Sequence, residues 1–269
     1  MQDNREKKML RKFIVPVWVV AAGAGAAAQA QDALEVGANI GNVPWEFQDE
    51  SGEFVGFEVE LANAVASQLG REVEIVNIPF NGLFSAVQSG RIDMAMSSIT
   101  ITDERLQSVS FAQPYYDSDQ SLTVGAEGPA SLDEMKDKVV GVDTGSTGDM
   151  WATEHAEDYG FADIRRYEGL QPAMLDLTAG RIDGYISDIP ALQYYVKDKP
   201  ALEVVQRIET GEKYSFMFAK DAELATEVNE ILSGLKEDGT LAELHEKWFG
   251  AAPEAGTSTV TVLDMPSAQ

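Results

Sequence analysis

A five-residue string occurs twice in this chain and confines the fold to a narrow set. Ser89–Gly90–Arg91–Ile92–Asp93 returns ninety residues later as Ala179–Gly180–Arg181–Ile182–Asp183. Each copy follows a helical run (Gly82–Gln88 and Pro172–Thr178) and leads into a buried-strand pattern. At equal offsets beyond the two copies stand Ser98 and Asp188. A period this long with only two members excludes a solenoid. It predicts two lobes of like construction, each presenting a polar group from a strand end toward a shared cleft.

The segments around the echo alternate strand and helix. Leu34–Ile40 reads as a strand. Glu58–Leu69 reads as a helix, with Leu61, Val65 and Leu69 four apart on one face and Gly70 as its stop. Val73–Val76 reads as a second strand, and Phe80–Asn81–Gly82 opens a second helix. That order predicts an α/β fold in which parallel strands are joined by crossover helices. Tyr115–Gln120, followed by the strand-like Ser121–Gly125, reads as the crossing into the second lobe. There Val139–Val142, Ile164–Tyr167 and Val204–Ile208 read as strands and Thr147–Tyr159 as a helix. Tyr214–Ala219 reads as the return crossing, followed by helices over Ala222–Gly234 and Leu241–Trp248. The expected division is therefore 31–120 with 217–250 as one lobe and 121–216 as the other. Residues 251–269 carry Pro, Gly, Ser and Thr without a helical stripe and are expected to form a disordered tail.

Composition removes several kinds of chemistry. The chain has no cysteine, so disulfides, thiolate catalysis and Cys-based zinc sites are unavailable, and His155 and His245 are its only histidines. No cofactor is expected. The formal net charge of −25 argues against nucleic acid, whose phosphates would be repelled. At the N-terminus, Arg5, Lys7, Lys8, Arg11 and Lys12 precede an apolar run, Phe13–Ala28, and the small–x–small site Ala28–Gln29–Ala30. This pattern predicts a signal peptide over residues 1–30 and export to a periplasm. Its strongly apolar part, Phe13–Ala22, is well short of the ~20 residues needed to span a bilayer.

The stretch Ser97–Arg105 carries the most distinctive chemistry. It follows a strand-like run (Ile92–Met96) and leads into a helix start with Thr102 as N-cap. Ligands in open α/β sheets sit just past such strand ends. Arg105 can hold a carboxylate through two parallel charge-assisted bonds, while hydroxyls and carbonyls receive an ammonium. The set suits an amino acid zwitterion. Asp143–Thr144–Gly145–Ser146 matches the string around an aspartic protease's catalytic acid, but that chemistry needs two carboxylates sharing a proton, and no second copy exists.

Six runs, in order, resemble the bacterial extracellular solute-binding proteins of the polar amino acid class, the receptor components of ABC importers. They are Gly52–Ala62, Gln88–Asp93, Ser98–Arg105, Phe111–Tyr116, Gly145–Gly148 and Leu235–Thr240. The resemblance covers nearly all of Ala33–Gly250. It implies a type II periplasmic-binding-protein fold: two lobes, each a mainly parallel sheet flanked by helices, with two crossing strands as hinge. It also implies a monomer that docks transiently on an inner-membrane permease. By the same resemblance Arg105 clamps the ligand carboxylate, together with Thr100, Ser146 and Thr147; the last two open a helix whose N–H groups favour an anion. Asp188 receives the ammonium with the Ser98 carbonyl, Ile99 lies in the same binding stretch, and Phe80 lies over the ligand. The first loop departs from the family pattern. An acid is replaced by Asn39 and a stacking tyrosine by Asn42, with Trp45 either a replacement stack or a core residue. Losing the acid weakens the case for arginine or lysine, although Glu46 is close by. A dehydratase on the same scaffold, with Glu46 as its acid, and a detached sensor module are the rival functions. N-terminal sequencing of the exported protein is expected to begin at Gln31; retention of residues 1–30 would contradict the signal-peptide reading.

Overall fold

The computed structural model describes residues 33–268; the signal-peptide expectation for residues 1–30 lies outside the described residues. The first lobe runs β1 (Leu34–Ala38), β2 (Phe47–Gln48), β3 (Phe54–Val55), α1 (Phe57–Leu69), β4 (Val73–Asn77), α2 (Phe80–Gln88), β5 (Met94–Ala95), α3 (Asp103–Leu106) and β6 (Val109–Phe111). The chain then crosses along β7 (Tyr116–Gly125). The second lobe adds β8 (Val139–Asp143), α4 (Thr147–Glu154), α5 (Ala156–Tyr159), β9 (Asp163–Tyr167), α6 (Leu170–Thr178), β10 (Gly184–Asp188) and α7 (Ile189–Val196). β11 (Leu202–Tyr214) returns to the first lobe, which is completed by β12 (Met217–Ala219), α8 (Glu223–Glu237) and α9 (Thr240–Phe249).

Each lobe has a five-stranded sheet, ordered β4-β1-β5-β12-β6 in the first and β11-β7-β10-β8-β9 in the second. In each sheet four strands run in one direction and a single strand runs against them, β12 in the first lobe and β7 in the second. The echo explains the likeness. Ile92 and Ile182 are both buried, and a Cβ on Gly37 of β1 or Gly141 of β8 would lie 2.4 or 2.6 Å from their respective Cδ1 atoms. Glycine at these two strand positions makes room for the isoleucine that locks the crossover. The echo's aspartates act alike too. Asp93 Oδ2 accepts Glu35 N–H at 3.1 Å, and Asp183 Oδ2 accepts Val139 N–H at 2.8 Å, so each ties the returning strand to the start of its parallel neighbour.

Several boundaries differ from the sequence reading. β7 is one strand spanning the expected division at residue 120, and the return expected at Tyr214–Ala219 begins earlier, along β11, which pairs antiparallel with β7 as far as Tyr214. β12 instead lies inside the first lobe's sheet. The helix expected over Thr147–Tyr159 breaks at His155. α7 was not legible because it starts directly after β10 with no linker, so one apolar run serves two periodicities.

Residues 251–268 form no regular element, but they are seated rather than loose, which corrects the expectation of disorder. Ser258 and Thr259 are buried. Thr259 Oγ1 donates to the Tyr115 carbonyl at 3.0 Å, and Ser258 N–H donates to Asp117 Oδ2 at 2.7 Å. The buried Lys236 ammonium donates to Gln113 Oε1 (2.7 Å), Pro114 O (2.7 Å) and Thr261 O (2.9 Å). Burial lowers its pKa to about 8.

Trp45 is also corrected. It is fully buried in the first lobe, edge-on to Phe57 (5.6 Å between centroids), Tyr116 (4.7 Å) and Tyr214 (5.4 Å). It is the hub of an aromatic core and offers no face to a ligand. Trp45→Ala is expected to cost about 3–5 kcal/mol of stability, measured by urea denaturation; a loss under 1 kcal/mol would remove Trp45 from this role.

Candidate functional site

The carboxyl ends of β1, β5, β8 and β10 meet between the lobes around a cavity of about 30 Å³. Eight of the eleven residues singled out in the sequence line it: Asn39, Asn42, Phe80, Ser98 and Thr100 from the first lobe, and Ser146, Thr147 and Asp188 from the second. Ser97, Asp143, Leu170 and Ser187 also line it and were not read as site residues. Trp45, Ile99 and Arg105 do not line it. Ile99 packs its side chain in the core, and its carbonyl accepts Ser215 N–H at 3.1 Å, so its place in the binding stretch is structural.

Ser98 is the pivot of the first lobe's contribution. Its φ is +44°, a left-handed conformation that a non-glycine residue holds only when its surroundings enforce it. Both carboxylate oxygens of Glu58 accept its N–H (2.9 and 3.1 Å). The hydroxyl is thereby aimed across the cleft, where it donates to Asp188 Oδ2 at 2.9 Å. The two residues at equal offset in the echo therefore meet. Glu58 also accepts the Tyr115 hydroxyl. Beside it lies the fully buried Glu46, which accepts Ser97 Oγ at 2.5 Å and Asn42 Nδ2 at 3.2 Å. Burial, then the charge of Glu58, holds the Glu46 pKa well above the carboxylate range.

The second lobe's anion is held by an unusual route. Asp188 occupies the N-cap of α7 but makes no capping bond; its side chain turns into the cleft instead. Gln120, buried on β7, donates through Nε2 to Asp188 Oδ1 (2.7 Å), Glu212 Oε1 (3.0 Å) and Thr147 Oγ1 (3.2 Å). Thr100 Oγ1 donates to Glu212 Oε2 at 2.8 Å and lies 3.4 Å from Thr147 Oγ1. Burial, aided by Glu212, raises the Asp188 pKa to about 7. Gln120 and Glu212 left no trace in sequence because only the pairing of β7 with β11 brings them to this point.

Arg105 is also buried, on the short helix α3 capped by Thr102, whose hydroxyl accepts Arg105 N–H at 3.2 Å. Its guanidinium donates to Thr100 O (2.7 Å) and, across the cleft, to Gly145 O (3.2 Å), with its Cζ 5.5 Å from the Phe80 ring centroid. Burial lowers its pKa to about 10 while Glu212 and Asp188 oppose the shift, so it remains a cation at neutral pH. Behind Gly145, Ser146 caps α4 by accepting Asp149 N–H at 3.1 Å. The result is a buried guanidinium and a buried acid at the lobe interface, Asp188 lining the cavity and Arg105 held beside it by the Thr100 and Gly145 carbonyls. Each is held by neutral groups, and among the described residues no ion pair joins them.

Residues 34–251 match the family described as bacterial extracellular solute-binding proteins, family 3. The L-cystine-binding protein TcyJ of Escherichia coli K12 is 33% identical over 213 residues, covering 77% of this chain and 79% of that protein. A solved ancestral arginine-binding protein bound to arginine is 34% identical with a TM-score of 0.78, covering 82% of this chain and all of that one. The ancestral amino acid-binding protein AncCDT-1, a precursor of cyclohexadienyl dehydratase, is 34% identical with a TM-score of 0.72, covering 81% of this chain and 95% of that one.

The elevated Asp188 pKa makes stability pH-dependent. Between about pH 4 and pH 7 the native protein keeps a proton that the unfolded chain releases, so this contribution is complete below pH 4 and is lost as pH rises to 7. Relative to Asp188→Asn, the protein without added amino acid is expected to lose up to about 4 kcal/mol across that window, read from urea midpoints; parallel profiles for the two proteins would refute the assignment.

Proposed function

Because this chain belongs to the bacterial extracellular solute-binding proteins of family 3, we propose that it is the receptor of an ABC importer, binding a polar amino acid or related zwitterion between its lobes and delivering it to a membrane permease. One observation carries the reading: the Arg105 cation and the Asp188 acid are both taken out of water at the lobe interface, and among the described residues neither is in an ion pair. Burying a charge without a partner costs several kcal/mol. A zwitterion removes both costs at once, its ammonium going to Asp188 and Glu212 and its carboxylate to Arg105.

The cross-cleft bonds suggest how binding and closure are linked. Ser98–Asp188, Thr100–Thr147 and Arg105–Gly145 each join one lobe to the other. A ligand enters only when they part, through bending of β7 and β11, and it takes their place as the lobes close. Hinge closure of this kind is a general device of periplasmic binding proteins. Micromolar affinity needs about 8 kcal/mol, and a ligand of about ten heavy atoms gains at most ~1.5 kcal/mol per atom. Nearly every polar atom must therefore be engaged, which takes groups from both lobes. Export past residue 30 and function as a monomer complete the proposal.

The dehydratase reading draws on the likeness to AncCDT-1. Its acid was to be Glu46, and Glu46 is sealed behind Asn42 and Ser97 and does not line the cavity. Binding without turnover is the better account. Arg105→Ala is expected to weaken amino acid binding by about 2–5 kcal/mol, at least 30-fold, in calorimetric titrations over an amino acid panel. Near-native affinity in that variant would remove Arg105 from the site.

A further inference from the structure

The protease-like string Asp143–Thr144–Gly145–Ser146 leaves one residue that the binding reading has not used. Asp143 ends β8, lines the cavity, and sits at the carboxyl rim of the sheet beside β10 and its Asp188. Beyond the registered pair Tyr185↔Gly141, the two parallel strands bring Ser187 and Asp143 to the same rim, about 5 Å apart in strand spacing. From the ammonium position at Asp188, a ligand side chain directed along this rim passes Ser187 and reaches Asp143.

Among the described residues no cation pairs with Asp143, whose charge the Tyr185 hydroxyl helps to hold. Oδ1 accepts Gly169 N–H at 3.2 Å, and the charge that acts on it is a second acid, Glu168, not a lysine or arginine. Asn39 closes over the same spot from the first lobe: a Cβ placed on Gly169 would lie 3.5 Å from Asn39 Nδ2 and 3.6 Å from its Oδ1. The cavity is thus lined near Gly169 by a carboxylate from the second lobe and an amide from the first. Burial lifts the Asp143 pKa only to about 6, so the carboxylate is mostly ionised at neutral pH.

We propose that Asp143 receives the positively charged end of the ligand side chain, so that this site selects amino acids with a cationic side chain over their neutral analogues. The inference rests on the amino acid reading above. The first loop lacks the family's acid and carries Asn39 in its place; the structure supplies a carboxylate from the other lobe. The Asn39 carbonyl offers a second acceptor to a cation with several N–H donors, and an acidic side chain would meet like charge.

The test is calorimetry on the purified protein with arginine against citrulline and lysine against norleucine, pairs that differ mainly in side-chain charge, plus glutamine, histidine and cystine. The expected result is a preference of about 30-fold or more for at least one cationic member, falling to within about threefold in Asp143→Asn. Should that variant fail to fold, Asp143→Ser and the two wild-type ratios decide. A wild-type ratio near one, or a ratio that survives the substitution, overturns the role of Asp143 while the amino acid reading stands. No binding across the whole panel overturns both.

Discussion

A cation and an anion that share a buried cleft without touching govern how this molecule is built. Arg105 reaches across to the Gly145 carbonyl, and Asp188 receives Ser98 from the opposite lobe and Gln120 from the crossing strand. Neutral donors and acceptors solvate the two charges well enough to keep them inside, but they do not cancel them. On the proposed function, a dipolar ligand removes that residual deficit, which would make recognition and lobe closure one event.

Holding those groups in place takes a second layer of polar burial. Ser98 keeps its left-handed backbone because Glu58 takes its N–H with both oxygens, and Glu58 is fixed in turn by Tyr115. Burial raises the pKa of both Glu46 and Glu58, which lie side by side in this layer. Asn42 links this layer to the cavity, donating to both Glu46 and Ser98. The aromatic core around Trp45 surrounds the same loop and keeps water from these acids.

The C-terminal segment extends the first lobe toward the crossings. Lys236 gathers three acceptors, one of them in that segment, and Lys213 near the end of β11 donates to Ser258 Oγ at 3.2 Å. The segment lacks a periodic apolar stripe because its docking uses hydrogen bonds from a buried ammonium and a few hydroxyls, which leave no regular pattern in composition.

The amino acid sequence by itself determined the α/β class, the two-lobe plan and most of the cavity's rim. These rest on local rules: hydrophobic period, glycine stops, the Thr102 and Ser146 caps, and an echo whose isoleucines and aspartates do the same work twice. It also carried the family resemblance and the Arg105 and Asp188 pair. Tertiary structure alone decided that Trp45 and Ile99 face the core, that Gln120 and Glu212 join the Asp188 cluster, that residues 251–268 are seated, and that Asp143 stands at the end of the cavity. In each case the deciding contact joins segments far apart in the chain. A side chain's neighbours across a cleft depend on strand order and register, which no local pattern encodes.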